Sequence, residues 1–180
     1  SSNNMRFYTD ANERVQITGN GTIKLISSGG IDFSGIQTNA SGMTGETLDS
    51  YEEGTWTPTC NSDGTIDTPQ YTCHYTKIGR LVTVNAEIAH LSNITSTNPI
   101  KIGGLPFVPS GTTGEYGSAA CHGERYGHIT IVAFVQYQSN EWVIRFRKGV
   151  GSNNYNDLRH EDINNATDNN LRFTLIYEVP

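Results

Sequence analysis

The chain has 180 residues, enough for one ordinary domain or one domain with a short appendage. Its formal net charge of −6 at pH 7 argues against nucleic acid and anionic membrane surfaces as partners, because both attract basic proteins. No apolar run approaches the roughly 20 residues that a membrane span requires, so we expect no insertion into a membrane.

The opening segment, MRFYTDANERVQITGNGTIKL, contains three short runs in which apolar and polar residues alternate, at 7–9, 15–17 and 23–25. The turn sequences DAN and GNG separate these runs, and such a pattern is typical of strands and hairpins. The segment has too few apolar residues to close a core, and its strand edges would stay unpaired. The sequence therefore predicts that other chains complete residues 1–47. Because the pattern has already begun at the first residues, we also expect a longer parent chain.

Residues 26–47 are rich in Gly, Ser and Thr, which is the composition of a linker. Isolated apolar residues at Ile31, Phe33 and Ile36 interrupt this composition. We therefore expect a thin intertwined element here, and not a flexible tether.

The next stretch, LDSYEEGTWTPT, places carboxylates beside aromatic residues and a proline. A glycosidase needs two carboxyl groups about 5 to 10 Å apart across a cleft, one of them with a raised pKa. The adjacent Glu52 and Glu53 are instead expected to be solvated in a turn. We predict that this turn precedes a strand, that Tyr51 and Trp56 anchor the strand by burying their rings, and that Pro58 lies at its end.

After Trp56 the composition changes to a series of short strands, predicted at 71–78, 81–89, 99–102, 117–122, 128–136, 141–147 and 171–178. LVTVNAEIA alternates, which indicates one buried and one wet face, whereas HITIVAFVQY is nearly continuously apolar and indicates a central strand covered on both faces. A helical turn is expected only within 157–163. Many short strands with polar loops predict an all-β fold, a β-sandwich or a jelly roll.

Four segments follow one another in a recognisable order: MRFYTDANERVQITGNGTIKL, LDSYEEGTWTPT with YTKIGRLVTVNAEI, IKIGGLPFVPSG, and DLRHEDINNATDNNLRFTLIYEV. The first resembles the F-T-x-x-x-E-R-V-x-I-x-x-x-G-x-I segment found toward the carboxyl ends of many bacteriophage tail fibres. The others resemble, in the same order, the distal domain of such fibres. The resemblance covers most of the chain but not residues 110–128.

The resemblance implies a homotrimer. Residues 1–47 would form a short intertwined β shaft, 48–58 a neck, and 59–180 a β-sandwich or jelly-roll-like head. The protein would lie in the virion at the distal end of the tail fibre, after assembly in the host cytoplasm. Its expected partners are two further copies of itself and a host-surface glycan or other envelope receptor, with no cofactor.

Receptor contacts are expected on loops that a rigid scaffold holds out. The loop 110–128 suits sugar recognition, because an aromatic ring can stack on a pyranose face while charged groups bind hydroxyls. The loop 148–160 follows RFRK, a locally basic sequence that also suggests anionic sugars or phosphates. The candidate receptor-binding residues are Glu115, Tyr116, Glu124, Arg125, Tyr126, Asn153, Asn154, Tyr155 and Arg159.

No metal or nucleophilic site is predicted. The loop with Asp63 and Asp67 lacks the spacing of a calcium-binding loop. The three cysteines, Cys60, Cys73 and Cys121, form no CxxC pair. Cys60 and Cys73 could bridge across a hairpin, but reduced thiols are expected in a protein assembled in a cytosol. There is no GxSxG motif, and no base is readable near a cysteine.

The leading hypothesis is a non-enzymatic, trimeric fibre tip that binds a host glycan, with affinity raised by threefold repetition. One alternative is a tailspike-type enzyme that degrades surface polysaccharide, which would need a carboxylate cleft, for example from Asp63, Asp67 and Glu124 between subunits. Another is a structural trimerisation cap or capsid decoration without a ligand.

Overall fold

The computed structural model describes residues 3–26, 29–35, 47–48, 50–66, 72–111, 114–127, 130–149 and 155–180. Within these ranges the chain is nearly all β, with one 3₁₀ turn, His160–Asp162, and no α-helix. The prediction of an all-β fold is therefore confirmed. The chain divides into two compact units, Ser1–Tyr51 and Glu52–Pro180.

The described residues of the first unit form five strands: β1 (Met5–Thr9), β2 (Asn12–Ile17), β3 (Ile23–Leu25), β4 (Ile31–Asp32) and β5 (Thr47–Leu48). The order β1-β2-β3 forms an antiparallel sheet, and β4 pairs separately with β5. The first three strands include the predicted runs, because alternation at period two locates strands well.

The sheet β1-β2-β3 has one apolar and one polar face. Two rows of cross-strand partners are apolar throughout: Met5, Ile17 and Ile23, and Phe7, Val15 and Leu25. Residues two apart on a strand share a face, so these six side chains lie on one side. The row between them is polar and points to the other side: Arg6, Gln16 and Lys24.

This apolar face is open in the single chain. The exposed fractions are 60% for Met5, 50% for Phe7, 65% for Ile23 and 43% for Leu25. A small sheet with one apolar face is stable only when that face is covered.

As far as the second unit is described, it has ten strands: β6 (Tyr51–Trp56), β7 (Thr59–Cys60), β8 (Cys73–Ile78), β9 (Leu81–Ala89), β10 (Lys101–Gly103), β11 (Glu115–Glu124), β12 (Ile131–Gln138), β13 (Glu141–Gly149), β14 (Tyr155–Asp157) and β15 (Asn170–Glu178). They form one large antiparallel sheet in the order β6-β8-β9-β15-β11-β12-β13-β10-β7, and β14 pairs with β13.

The two edges of this sheet come together, because the edge strands β6 and β7 are consecutive in the chain. Only Thr57 and Pro58 separate them, and three Cα steps span about 11 Å at most. Gly104 marks a close approach at this point: its φ is +80°, and an added Cβ would lie 2.2 Å from the carbonyl oxygen of Thr57. The sheet therefore curls around one core in the manner of a sandwich.

Alternation along the strands fills the core. In β9 the inward side chains are Val82, Val84, Ala86 and Ile88, and in β15 they are Leu171, Phe173, Leu175 and Tyr177. The predicted alternation of residues 81–89 is confirmed. β12 lies centrally, between β11 and β13, and the outward-facing Phe134 is 5% exposed under the guanidinium of Arg147, 4.6 Å from the ring centroid.

The Glu-Glu-Gly segment corrects the sequence prediction, because it lies within strand β6 and not in a turn. Glu52 and Glu53 are exposed, as expected. Gly54 lets the ring of Tyr75 lie across the strand, since an added Cβ would be 2.9 Å from the Tyr75 hydroxyl. That hydroxyl donates to the carboxylate of Glu52, so Tyr75 holds the segment extended.

Only one of the two expected aromatic anchors is buried. Trp56 is 6% exposed, and its Nε1 donates to the carbonyl of Asn85 at 3.1 Å. Tyr51 is 64% exposed in the single chain, so its ring does not anchor the strand within one copy. Pro58 follows the end of β6, as predicted.

Candidate functional site

Strand β11 takes up much of the segment 110–128; it contains the predicted strand 117–122, extends it at both ends, and pairs with β12 and β15. Glu115, Tyr116 and Glu124, which were expected on a loop, therefore belong to a sheet; the side chain of Tyr116 lies outside the described part. A register shift occurs between Tyr116 and Ala119. Gly117, at φ +62°, permits it, because an added Cβ would lie 2.1 Å from the Ile176 carbonyl oxygen.

Glu115 is held in an ion pair on the outer face of the sheet. Arg147 donates to both of its carboxylate oxygens, at 2.9 and 2.5 Å. Beside this pair, Arg145 is 5% exposed and donates to Asp157 at 2.8 Å. The same guanidinium also donates to Gln136 and Gln138, at 2.8 Å each.

The loop after β13 is not the basic surface that the sequence predicted. Lys148 pairs with Asp162, and Arg159 donates to the carbonyl of Thr97 at 2.7 Å. Tyr155 is 66% exposed. Asn153 and Asn154 lie outside the described residues. The cations of this corner are matched in number by carboxylates: Arg145, Arg147, Lys148 and Arg159 against Glu115, Asp157, Glu161 and Asp162.

Glu124 and Arg125 are also engaged. Glu124 accepts from Asn170 at 3.0 Å and from Arg172 at 2.6 Å, and these hydrogen bonds lower the pKa of its carboxyl. Arg125, at φ +67°, donates through Nε and Nη2 to Asp168 at 3.0 and 2.8 Å. Both side chains therefore help to fix the turn after β11.

Tyr126 does not form the exposed stacking ring that the sequence suggested. The residue is 3% exposed, and burial raises the pKa of its hydroxyl. Its ring lies close to Gly123, where an added Cβ would come within 2.9 Å of it. The hydroxyl has no hydrogen-bond partner among the described residues. Tyr126 belongs to the core, and the expectation of a surface role is wrong for it.

A cleft of 560 Å³, which we call the aromatic cleft, was not predicted from the sequence. It lies where the β12–β13 hairpin meets residues 104–111 and the residue after β7. Its apolar wall and polar rim consist of Leu105, Phe107, Tyr137 and Trp142, and of Asn61, Asn140 and Glu141. Only the spacing of Tyr137 and Trp142 around a hairpin turn hinted at it.

Strand register positions the two hairpin rings. Tyr137 is the cross-strand partner of Trp142, and their ring centroids are 5.2 Å apart at 53°. They continue the inward row of Val135 and Ile144. Ser139 and Asn140, both at positive φ, close the hairpin with a tight turn of the kind that matches strand twist.

The opposite wall is equally fixed. Phe107 packs edge-on against Tyr75, with centroids 5.3 Å apart at 86°. Its carbonyl accepts a hydrogen bond from the buried Tyr177 hydroxyl at 3.1 Å. The aromatic cleft is therefore preformed.

Asn61 occupies a defined place on the rim. Its amide nitrogen donates to Glu141 at 2.8 Å, and its amide oxygen accepts from the Thr59 hydroxyl at 2.6 Å. The side chain lies against Gly103, where an added Cβ would be 2.5 Å away. The remaining acceptor positions of the Glu141 carboxylate can face a ligand.

A second polar cluster joins residues far apart in sequence, contrary to the expectation that no base lies near a cysteine. His160 is 0% exposed; its Nδ1 lies 2.9 Å from the Asn93 carbonyl and its Nε2 2.7 Å from the Ser62 hydroxyl. The sulfur of Cys60 lies 3.5 Å from the same hydroxyl. Burial alone would raise the pKa of Cys60, but hydrogen bonds with His160 and Ser62 outweigh it and lower the pKa.

This cluster has the composition of a nucleophile beside a base, but its geometry is that of a core contact. A carbonyl can only accept, so neutral His160 carries its proton on Nδ1 and accepts from Ser62. With no exposed surface, the imidazole cannot reach a substrate. The other thiols, Cys73 and Cys121, are buried, and none of the three cysteines forms a disulfide.

The carboxylates named for a possible polysaccharide-cleaving site do not have a general acid's environment. Asp63 accepts hydrogen bonds from Ser96 and Asn98, which lower its pKa, and the pKa of Glu124 is lowered too. A general acid needs a raised pKa. Asp67 lies outside the described residues, and among those described no group of three or more His, Cys, Asp or Glu is arranged to hold a metal.

No protein-family model matches the chain, and no curated protein is significantly similar to it. In the part of the chain that the structure describes, no helix is long and apolar enough to cross a membrane. Function is therefore inferred from the fold, from the side chains described above and from the resemblance of the four sequence segments.

Proposed function

We propose that the chain is the distal part of a bacteriophage tail fibre, which acts as a homotrimer and binds a host-surface glycan during adsorption. It belongs to the virion, at the end of the fibre, and binds its receptor without cleaving it. The observation that carries this proposal is the open apolar face of the sheet β1-β2-β3.

The exposed apolar face favours association with partner chains. Its six side chains form two continuous rows, and four of them are at least 43% exposed. An exposed sheet with such a face invites uncontrolled association unless a defined partner covers it. Identical chains around a threefold axis cover three such faces at once, which is the shaft that the sequence resemblance implies.

The second unit supplies the rigid body that a receptor-binding head needs. Its large curled sheet encloses one core, and its strands hold both the exposed polar side chains of the predicted sites and the aromatic cleft. Binding sites are commonly placed on such scaffolds. Three copies of a weak site on one particle raise the overall avidity.

The proposal is tested by assembly and by competition. Native mass spectrometry of the purified chain should show a species of three copies. Host cells incubated with this trimer should then adsorb fewer particles of a phage that carries the sequence, with saturation. A trimer that neither binds the cells nor blocks adsorption would indicate the structural cap, and shortened envelope polysaccharide would indicate an enzyme.

A further inference from the structure

We infer that the aromatic cleft is the receptor site, and that it takes a neutral hexose or N-acetylhexosamine unit of the host glycan. This inference rests on the proposed function and adds to it the site and the class of sugar. Of the nine candidate receptor-binding residues, none of those that the structure describes lines the cleft.

The aromatic wall fits the apolar face of a sugar ring. Trp142 and Tyr137 are tilted against each other at 53°, with centroids 5.2 Å apart, and Phe107 lies on the facing wall. Aromatic side chains bury large areas with little conformational freedom to lose. The rings are held by strand register and by packing against the core, so binding need not order them.

The polar rim fits hydroxyl groups. Glu141 is an acceptor whose carboxylate is oriented by the amide of Asn61, at 2.8 Å. Hydrogen bonds to such a charged acceptor are roughly twice as strong as neutral ones. The exposed Asn140 adds an amide that both donates and accepts. A cleft with an apolar wall and a few fixed polar groups is the usual form of a small-ligand site.

Charge selects neutral sugars over acidic ones. Among the described residues that line the aromatic cleft there is no Lys or Arg, whereas Glu141 contributes a carboxylate. Lys77 is not among the lining residues, although its Nζ lies 5.8 Å from the centroid of the Phe107 ring. A uronic or sialic acid would therefore bring a like charge to the rim, where no described lining residue is a cation. The polar corner around Arg147 and Arg159 offers no better site for an acid, because its cations already have partners.

The residues that line the cleft do more than cover the core. The cleft volume of 560 Å³ lies within the roughly 300 to 1,000 Å³ typical of ligand sites. If these residues only covered the core, their apolar side chains would be buried, yet Val108, which lines the cleft, is 69% exposed. Leu105 and Phe107 already contact the core from the same segment, so the exposed part of the wall is available for binding.

The first test is binding of the trimer to an array of microbial glycans that contains neutral and acidic members. Neutral hits are then titrated in solution by tryptophan fluorescence. The chain has two tryptophans, and Trp56 is 6% exposed, so a change in emission reports Trp142. We expect binding to neutral glycans and a saturable change in emission.

Three cleft variants and one matched control locate the site. Trp142→Ala should weaken binding by about tenfold or more, as for loss of a central aromatic contact. Because Trp142 also contacts the core, Asn140→Gly and Glu141→Gln provide milder changes. Glycine keeps the left-handed backbone, and glutamine still accepts from Asn61. Ile176→Ala removes an exposed apolar side chain of the same unit outside the cleft and should leave binding unchanged.

Binding only to acidic glycans, binding that all three cleft variants retain, or no glycan binding by a trimer that blocks adsorption would overturn the cleft assignment. In each case the competition experiment on cells shows whether the proposed function still stands. A trimer that does not recognise cells contradicts the proposed function itself.

Discussion

Val15→Asp tests whether the apolar face of β1-β2-β3 drives assembly. Val15 lies on the central strand of the sheet, paired with Phe7 on one side and Leu25 on the other. A carboxylate here would point into whatever covers the face. We expect the variant to be monomeric at concentrations where the wild-type chain forms the proposed trimer.

The exposed fractions of the apolar side chains give the expected size of the effect on assembly. Met5, Phe7, Ile23 and Leu25 are between 43% and 65% exposed in the single chain. Full burial of such a side chain is worth roughly 1.5 to 3 kcal/mol, so covering the remainder contributes about 1 kcal/mol each and about 12 kcal/mol over three chains. Removing a carboxylate from water costs several kcal/mol per ion, and three copies at the axis would offset most of that gain.

Sedimentation equilibrium over a range of concentrations measures the effect. Gln16→Asp is the matched control, because it introduces the same charge change one residue away, in the polar row between Arg6 and Lys24. This variant should remain trimeric. If Val15→Asp stays trimeric, or if both variants dissociate equally, the apolar face is not the assembly surface.

Three further predictions concern the second unit and are measured by urea unfolding. Tyr126→Phe should raise the free energy of unfolding by about 1 kcal/mol, because the buried hydroxyl has no partner among the described residues; a loss of stability would contradict this. Arg145→Met should cost about 3 kcal/mol because it breaks a buried ion pair, whereas Arg147→Met, at a half-exposed pair, should cost less than about 1 kcal/mol; equal losses would refute the distinction. The pKa of Asp63 is lowered from 3.8 in the folded protein. Its contribution to the free energy of unfolding is therefore present above pH 3.8 and is lost as the pH falls through the lowered pKa of the folded state. Asp63→Asn should flatten the decline of stability below about pH 4, and an unchanged slope would show that Asp63 does not contribute to it.

The alternation of apolar and polar residues was the sequence pattern that predicted the strands best. Residues 81–89 and 23–25 form strands with the predicted bounds, and Trp56 is buried as expected. β11 runs two residues further at each end than the predicted 117–122, and Glu115, Gly123 and Glu124 at those ends have low strand propensity. Pairing with β12 and β15 on either side makes these residues a strand regardless.

From the sequence, the candidate site could be predicted only as a set of loops, and not as the side chains that remain available to a ligand. Which side chains remain available depends on partners far along the chain: Arg125 is held by Asp168, and Glu141 by Asn61. Tyr126 looked like a surface residue because its neighbours are polar and charged. The chain turns at this point, and the ring enters the core beside Gly123.

The sequence by itself determined the all-β class and most of the strands, because these follow from local alternation. It also predicts, from the small supply of apolar residues, that other chains complete residues 1–47. Only the tertiary structure decided that the two sheet edges meet at Thr57 and Pro58, that the charged corner is neutralised, and that aromatic rings from two distant segments form a cleft. These features depend on strand order and register. Interactions among residues separated by many positions set that order, and no local pattern encodes it.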